Sequence, residues 1–514
     1  MTAVSHQPGT QTRSASFDSL DPVTGNVIAT FPVNSAAEVA AIVSKAKEAA
    51  DFWAGLGEPG RRARLSAWRA TLVRRTDELA RLIHAENGKP VDDAVLEVTI
   101  AIAHLDWATR NARSLLGKRR VLPGVLAANH SATLEYLPFG VVGVIGPWNY
   151  PVHTPMGSIS YALAAGNAVV FKPSEFTSAV GRWLVESFAG IVAEQPVLSL
   201  VTGFGETGAA LCVSGVDKLA FTGSPATGRK VMAACAQNLT PCVIECGGKD
   251  ALIVAADADI ERAAEQAVWG SMFNAGQTCA GVERVYVEAP VYEAFLSAVT
   301  ARATSLQAGA GGSADYGAIT MPGQLDVIAA HIEDALQRGG KALVGGRHSV
   351  RAPFVDPVVL VDVPEDSPAL TDETFGPTVV IAKVADLDEA ITKANASRYG
   401  LGASVFSRRN GQRIADRLDA GMVSINSVLT YASIPGLPWG GTGDSGFGRI
   451  HGPDGLREFA RSRSVSRQRF EIPLRLTTFD RSDKAMGRLR KLARARWGHS
   501  KASSARVTGA AVPR

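Results

Sequence analysis

Cysteine is scarce in this chain: five residues in 514, at Cys212, Cys235, Cys242, Cys246 and Cys279. So few cannot staple a scaffold, and an odd number leaves at least one unpaired, which favours a reducing compartment and a working thiol. No run approaches the roughly 20 uninterrupted apolar residues that span a bilayer. The first residues are polar and lack the apolar core of a secretory signal, so a cytoplasmic protein is expected. The nine histidines fall in no triad-like or metal-like spacing, and no metal site is expected. A charged fraction of 20% against 46% hydrophobic residues excludes a disordered or fibrous chain. The net charge of +4 is local: residues 475–514 carry 11 Lys/Arg against two Asp, and the remainder is slightly acidic. The body therefore lacks the electrostatic footprint of a nucleic-acid binder, and no nucleic-acid partner is expected.

At about 150 residues per domain, the length implies two to four units. Residues 1–15 read as a flexible lead. Helical spacing of Leu, Ala and Arg marks 36–54, 60–87 and 91–116, the second segment closed by Gly88. From 139 the texture changes: FGVVGVIGPW, NAVVFKP, VLSLVTG, KLAFTGS and PCVIECGG are strand-like runs separated by helical stretches. That alternation predicts a doubly wound parallel sheet. A second α/β series follows, with ALIVAA, VERVYV, VVLVDV, TVVIAKV and ASVFS, ending near 440. Segments 118–137 and 441–469 are less regular and predict a projecting strand pair that joins subunits.

Several short motifs carry possible chemistry. GFGETG (203–208) fits the dinucleotide pattern G-x-G-x-x-G between a strand and a helix, but no acid follows at the distance that would hold a ribose. FTGSPATG (221–228) is either a capped helix start, with Ser224 as N-cap and Pro225 next, or a phosphate contact; the two are compatible. Cys279, in NAGQTCAG, is the one cysteine in a polar, glycine-flanked setting, whereas Cys212 and Cys235 read as small buried hydrophobes. Glu245 ends an apolar strand, where a carboxylate is either paired or tuned for proton transfer. Asn149, in GPWNYP, either donates to a developing oxyanion or makes a turn. Lys172 and Glu175, in FKPSE, form either a surface pair or a ribose clamp.

PWNYP, FKPSE, FTGSPATG, ECGGK, GQTC, DETFGP and PWGGTGDSGFGR, in that order, together resemble the aldehyde dehydrogenase superfamily over about residues 17–470. The spacing from Glu245 to Cys279 also agrees. Cys246 and Trp439 stand where that family usually has Leu and Phe. The fold class implied is α/β: a doubly wound parallel-sheet cofactor domain (16–117 and 138–247), a second α/β catalytic domain (248–440), a small β oligomerisation extension (118–137 and 441–469) and a basic tail (470–514).

The resemblance also implies roles. Cys279 attacks the aldehyde, Asn149 holds the oxyanion, and Glu245 activates water onto the thioester. Trp148, Lys172, Ser174, Glu175, Gly203, Gly223, Ser224, Gly228, Glu373 and Phe375 bind the dinucleotide. Tyr150, His153, Gly157 and Trp439 line the aldehyde tunnel, with Gly157 widening its entrance, and apolar or aromatic aldehydes are expected. Glu175 would repel a 2′-phosphate, so NAD is expected over NADP. The alternatives are a CoA-acylating enzyme, which a water-activating Glu245 opposes, and a non-catalytic scaffold, which the presence of all three catalytic groups opposes. A homodimer or homotetramer is expected. The tail segment KAMGRLRKLARARW gathers Met486, Leu489 and Leu492 near one face among basic residues, and suggests weak contact with an anionic membrane surface.

Overall fold

A computed structural model describes residues 16–472 and 478–498; the expected lead at 1–15 and the last part of the tail lie outside the described residues. The five runs of the first series form β1 (Val141–Ile145), β2 (Ala168–Lys172), β3 (Leu198–Leu200), β4 (Lys218–Gly223) and β5 (Cys242–Cys246). All are parallel, in the order β5-β4-β1-β2-β3. They are covered on both faces, and so they read as continuous apolar runs and not as alternation. The connection reverses direction at β1, between β4 and β2. A crevice opens beyond the strand ends at such a point.

The second series gives β6 (Asp250–Val254), β7 (Val282–Glu288), β8 (Lys341–Val344), β9 (Val358–Val361), β10 (Thr378–Val384), β11 (Gly402–Phe406) and β12 (Met422–Ile425). Their order is β8-β9-β10-β7-β6-β11-β12, with β8 antiparallel at the edge and the other pairs parallel. A short β13 (Gly446–Phe447) returns to the first sheet and pairs antiparallel with β5, Gly446 opposite Glu245.

That return corrects the expected extension. The second compact unit comprises 118–135 and the described residues from 463 onward, while 441–462 belongs to the body. Glycine-rich 440–448 gave no strand pattern because β13 has only two residues and its partner lies some 200 positions away. The second unit contains strand Arg119–Val121, most of strand His130–Pro138, which pairs antiparallel with it, and most of strand Ala460–Gln468, which lies beside His130–Pro138. It also holds the helix Asp483–Trp497, capped by Ser482, whose Oγ accepts from the Ala485 N–H at 3.2 Å.

Helices Ala36–Gly55, Gly57–Arg74, Thr76–Asn87 and Val91–Leu116 precede the first sheet. Ser35 opens the first with a capping box: its Oγ accepts from the Glu38 N–H, and its own N–H donates to Glu38 Oε2 at 2.7 Å. The single helix expected over 60–87 is broken at Arg75, and Gly88 closes the third helix at φ 86°. Trp53 and Trp68 anchor this layer in the core, their ring N–H groups donating to Leu163 O (2.8 Å) and Ser187 Oγ (2.9 Å). Among the described residues, no helix is long and apolar enough to cross a membrane.

Candidate active site

Cys279 sits on a turn that ordinary backbone does not make. Between helix Ile260–Met272 and β7, Asn274, Ala275 and Gly276 take φ of 55°, 56° and 71°. A Cβ at Gly276 would lie 2.0 Å from Gly376 O, so only glycine fits there. The buried Gln277 side chain pins the turn by donating to Asn274 O (3.0 Å) and Ala318 O (3.2 Å) and accepting from the Thr320 N–H (2.8 Å). The cost of the left-handed residues is thus met by a surrounding hydrogen-bond net that fixes the nucleophile loop.

Asn149 arrives on the loop after β1 and is buried. Its carbonyl accepts from Lys89 Nζ (2.8 Å) and Asn274 Nδ2 (3.1 Å), while its own amide donates to Gln277 O (3.0 Å). An amide NH2 has a second N–H, which remains for a ligand. Lys89 is itself buried and paired with Glu97 at 2.7 Å. Glu97 also accepts the N–H groups of Val152 (2.8 Å) and His153 (3.0 Å) at the start of helix His153–Ala165. This Lys89–Glu97 support was missed in the sequence: NGKP reads only as a helix end, and Glu97 as a polar residue on an amphipathic helix.

Two cavities meet at the thiol. The larger, about 800 Å³, lies beyond the ends of β1, β2, β4 and β5; the smaller is about 120 Å³. Three residues line both: Cys279, Glu245 and Thr154. Glu245 is buried, and neither carboxylate oxygen has a hydrogen-bond partner of ordinary geometry. Burial pushes it up to about 7, with the polar groups of Trp439, Cys279 and Thr222 offsetting only part of that. Burial, followed by the nearby carboxyls of Glu245, Glu373 and Asp250, holds the Cys279 thiol well above its ordinary value. The resting sulfur is therefore protonated, next to a carboxylate matched to neutral pH for taking a proton.

The larger cleft collects most of the residues expected to bind a dinucleotide: Trp148, Lys172, Ser174, Glu175, Gly223, Ser224, Glu373 and Phe375. Glu373 Oε1 accepts from the Gly248 N–H at 3.1 Å. Its loop is held by Glu283, which accepts from the N–H groups of Thr374 and Phe375 and pairs with buried Lys249. A Cβ at Gly247 would lie 2.0 Å from Glu373 Oε1, which is the reason for glycine in ECGGK. Phe375 is held at φ 53° with its ring edge-to-face on Trp148, 5.5 Å between centroids. Ser224 caps helix Pro225–Ala236 by accepting from the Thr227 N–H, and both residues border the cleft. The donor set fits a ribose and phosphate ligand, because the buried Lys172 ammonium, with three donors, has one oxygen at hand, Pro173 O at 3.1 Å.

Two expected cofactor residues do not line this cleft. Gly203, at φ 142°, faces Thr207, and the contact passes to Phe204, Gly205, Glu206 and Gly208. Gly228 packs its helix onto β5, where a Cβ would meet Cys246 Sγ at 3.0 Å.

The smaller cavity is lined by Tyr150, His153 and Trp439, as expected, and by Leu96, Ile100, Trp269, Phe273, Leu429, Ile450 and His451. Tyr150 is fixed by a 2.7 Å hydrogen bond with Thr278 Oγ1 and by Lys89 Nζ over its ring. Gly157 does not line the tunnel and widens nothing: the space beside it is filled by His451, whose Nε2 would lie 2.5 Å from an added Cβ. The histidine expectation also fails, because His104, His153 and His451 come together from three distant segments. Arg284 lies away from the tunnel, donating to the carbonyls of Lys249, Lys393 and Ala394.

The Cys279 thiol, the buried Glu245 carboxyl, the Asn149 amide and a nucleotide-sized cleft thus meet at one junction, and comparison with known proteins gives the class of the chain. The Aldehyde dehydrogenase family model matches residues 10–465, and the chain belongs to that family. It is 37% identical over 458 residues to 4,4'-diapolycopene aldehyde oxidase from Methylomonas sp, covering 88% of this chain and 86% of that protein. It is 35% identical over 453 residues, covering 87% of each, to a Mycobacterium ulcerans protein provisionally named succinate-semialdehyde dehydrogenase [NADP(+)] 2. Lactaldehyde dehydrogenase from Escherichia coli superposes with a TM-score of 0.85 at 29% identity, over 89% of this chain and 97% of that one. The protein is thus an oxidoreductase of an NAD(P)-using family that acts on aldehydes.

Proposed function

We propose that this enzyme oxidises apolar or aromatic aldehydes to carboxylic acids with NAD, through a thioester on Cys279. The observation that carries the reading is the meeting of cleft and tunnel at Cys279 and Glu245. Glu245 takes the thiol proton, and the sulfur attacks the aldehyde carbon brought down the tunnel. The second Asn149 N–H and the Cys279 backbone N–H stabilise the resulting oxyanion. NAD, when bound in the cleft, would supply the hydride acceptor needed for the thiohemiacetal to become a thioester. Glu245, having lost its proton again, then withdraws one from water, which displaces the thiolate and releases the acid. Lys172 and Glu175 would hold the adenosine ribose, Ser224 and its helix start the pyrophosphate, and Glu373 with Phe375 the nicotinamide ribose. Mass spectrometry of Glu245→Gln during turnover tests this: the acyl group should accumulate on Cys279, and an unmodified thiol with normal acid release would refute it.

The substrate class follows from the tunnel wall. Among the described residues, no Lys or Arg lines it, while Asp93 and Glu97 do. An aldehyde that also bears a carboxylate finds no counter-charge there, whereas an alkanal or benzaldehyde needs none. Rates across alkanals, benzaldehydes and succinic semialdehyde decide this, and a preference for the last would overturn it. For the cofactor, the Glu175 carboxylate in the cleft supports NAD over NADP, since it accepts from ribose hydroxyls and repels a 2′-phosphate. Glu175→Gln should raise kcat/KM for NADP relative to NAD.

The second unit supports a homodimer or homotetramer, because Val121, Leu122, Val125, Leu126 and Val465 stand exposed on it. The tail helix Asp483–Trp497 has no buried residue and leaves Trp497 exposed among six Lys/Arg. That supports weak, salt-sensitive contact with an anionic membrane. Equal vesicle binding by the intact chain and one ending near 475 would remove the idea.

A further inference from the structure

We propose that His104, His153 and His451 form a binding site for a divalent transition ion of the zinc class, on the wall of the aldehyde tunnel. The three residues come from helix Val91–Leu116, the start of helix His153–Ala165, and the residue before helix Gly452–Glu458. One ring nitrogen of each lies within 4.8 Å of the other two. Three imidazoles around a tetrahedral ion, with bonds of about 2.0–2.1 Å, stand roughly 3.3 Å apart, so small ring rotations close the set.

The hydrogen bonding is that of ligands. His104 Nε2–H donates to Ala432 O at 2.9 Å, which leaves Nδ1 as the nitrogen with a lone pair, its one contact being Tyr161 OH at 3.5 Å. An outer hydrogen bond of this kind orients metal-binding imidazoles. Both nitrogens of His451 and Nδ1 of His153 are buried without any partner. Unpaired buried nitrogens carry a desolvation penalty that a shared cation removes.

The backbone agrees with this placement. His451 is held at φ 64°, in the left-handed region unusual for a side chain of its size, and Gly157 leaves the room its ring occupies. His153 and His451 line the tunnel and His104 does not, so the ion keeps one side toward the tunnel, where water or a substrate oxygen completes its shell.

Cobalt(II) titration of the chelator-stripped full-length protein tests the assignment. One equivalent per chain should produce the visible ligand-field bands of a nitrogen-ligated, four- or five-coordinate site, competed away by zinc. His104→Asn should abolish the bands. Gly157→Ala, which displaces the His451 ring without removing a ligand, should weaken affinity about tenfold or more. Cys279→Ser and the exposed-histidine control His348→Asn should retain them. Absence of stoichiometric uptake by the unaltered protein would overturn the proposal, whatever the variants do. So would bands lost in Cys279→Ser but kept in a His104→Asn protein with an unchanged melting temperature.

Discussion

Replacing Glu245 by glutamine should slow the enzyme and steady its fold at the same time, in a way that depends on pH. The carboxyl has no ordinary hydrogen-bond partner and is pushed from its usual 4.5 to about 7 by burial. The folded state therefore holds this proton more tightly than the unfolded chain. Below about pH 4.5 both states are protonated, and the group does not oppose folding. As pH rises toward 7 the unfolded chain ionises first, and stability falls until the folded carboxyl has ionised too. At about 1.4 kcal/mol per pH unit, the full cost is about 3 kcal/mol. Glutamine keeps the shape without the charge. An unfolding entropy of about 2.1 cal/mol/K per residue over a chain of this length makes that about 3 °C in Tm. Melting curves of both proteins should nearly coincide around pH 5 and separate in favour of Glu245→Gln by about 3 °C near pH 8.5. Acid release should meanwhile fall by about 10²–10⁴-fold, the usual worth of a general base. A Tm difference that is the same at both pH values would refute the view that Glu245 is a desolvated, unpaired carboxyl.

Other substitutions follow from the same geometry. Lys89→Ala takes the cation from buried Glu97 and leaves it only the backbone N–H groups of Val152 and His153, so urea unfolding should show a loss of about 3–5 kcal/mol; kcat should drop as well, because the Asn149 carbonyl loses a donor. Gly247→Ala pushes on the Glu373 carboxylate and should raise KM for NAD by more than it lowers stability, read from steady-state kinetics alongside a thermal melt. Cys279→Ser should abolish NAD reduction by aldehydes while leaving NAD binding, measured by calorimetry, near that of the unaltered protein.

Much of this architecture can be read along the chain, and the failures have physical causes. β1 to β5 are legible because strands covered on both faces must be apolar throughout, and each is bounded by glycine, proline or a polar turn. Glu245 stands out because a charge appears at the end of such a run, and Cys279 because it is the one cysteine set among polar residues and glycine. The break at Arg75 is silent, since no glycine or proline marks it and the apolar spacing continues into the next helix. Gly203 and Gly228 show how a glycine pattern misleads: neither lines the cleft, and each packs closely on a neighbour, Thr207 and Cys246 respectively. Gly157 makes the same point, its missing side chain serving a histidine nearly 300 residues later. The histidine cluster leaves no local trace because its members belong to three separate elements. The Lys89–Glu97 pair and the Gln277 clamp are hidden for the same reason, being long-range partners of residues that look ordinary in their own segments.

Under the proposed function, the arrangement in which, among the described residues, only Thr154, Glu245 and Cys279 border both cavities lets the two reactants be recognised almost independently. Aldehyde preference can drift through changes at Leu96, Ile100 or Leu429 without disturbing the grip on the dinucleotide, and nucleotide preference can drift at Glu175 without touching the tunnel. Thr154 is the exception. Lying on the party wall and taking no part in bond making, it is the position from which a single change of side chain would be felt by both tenants.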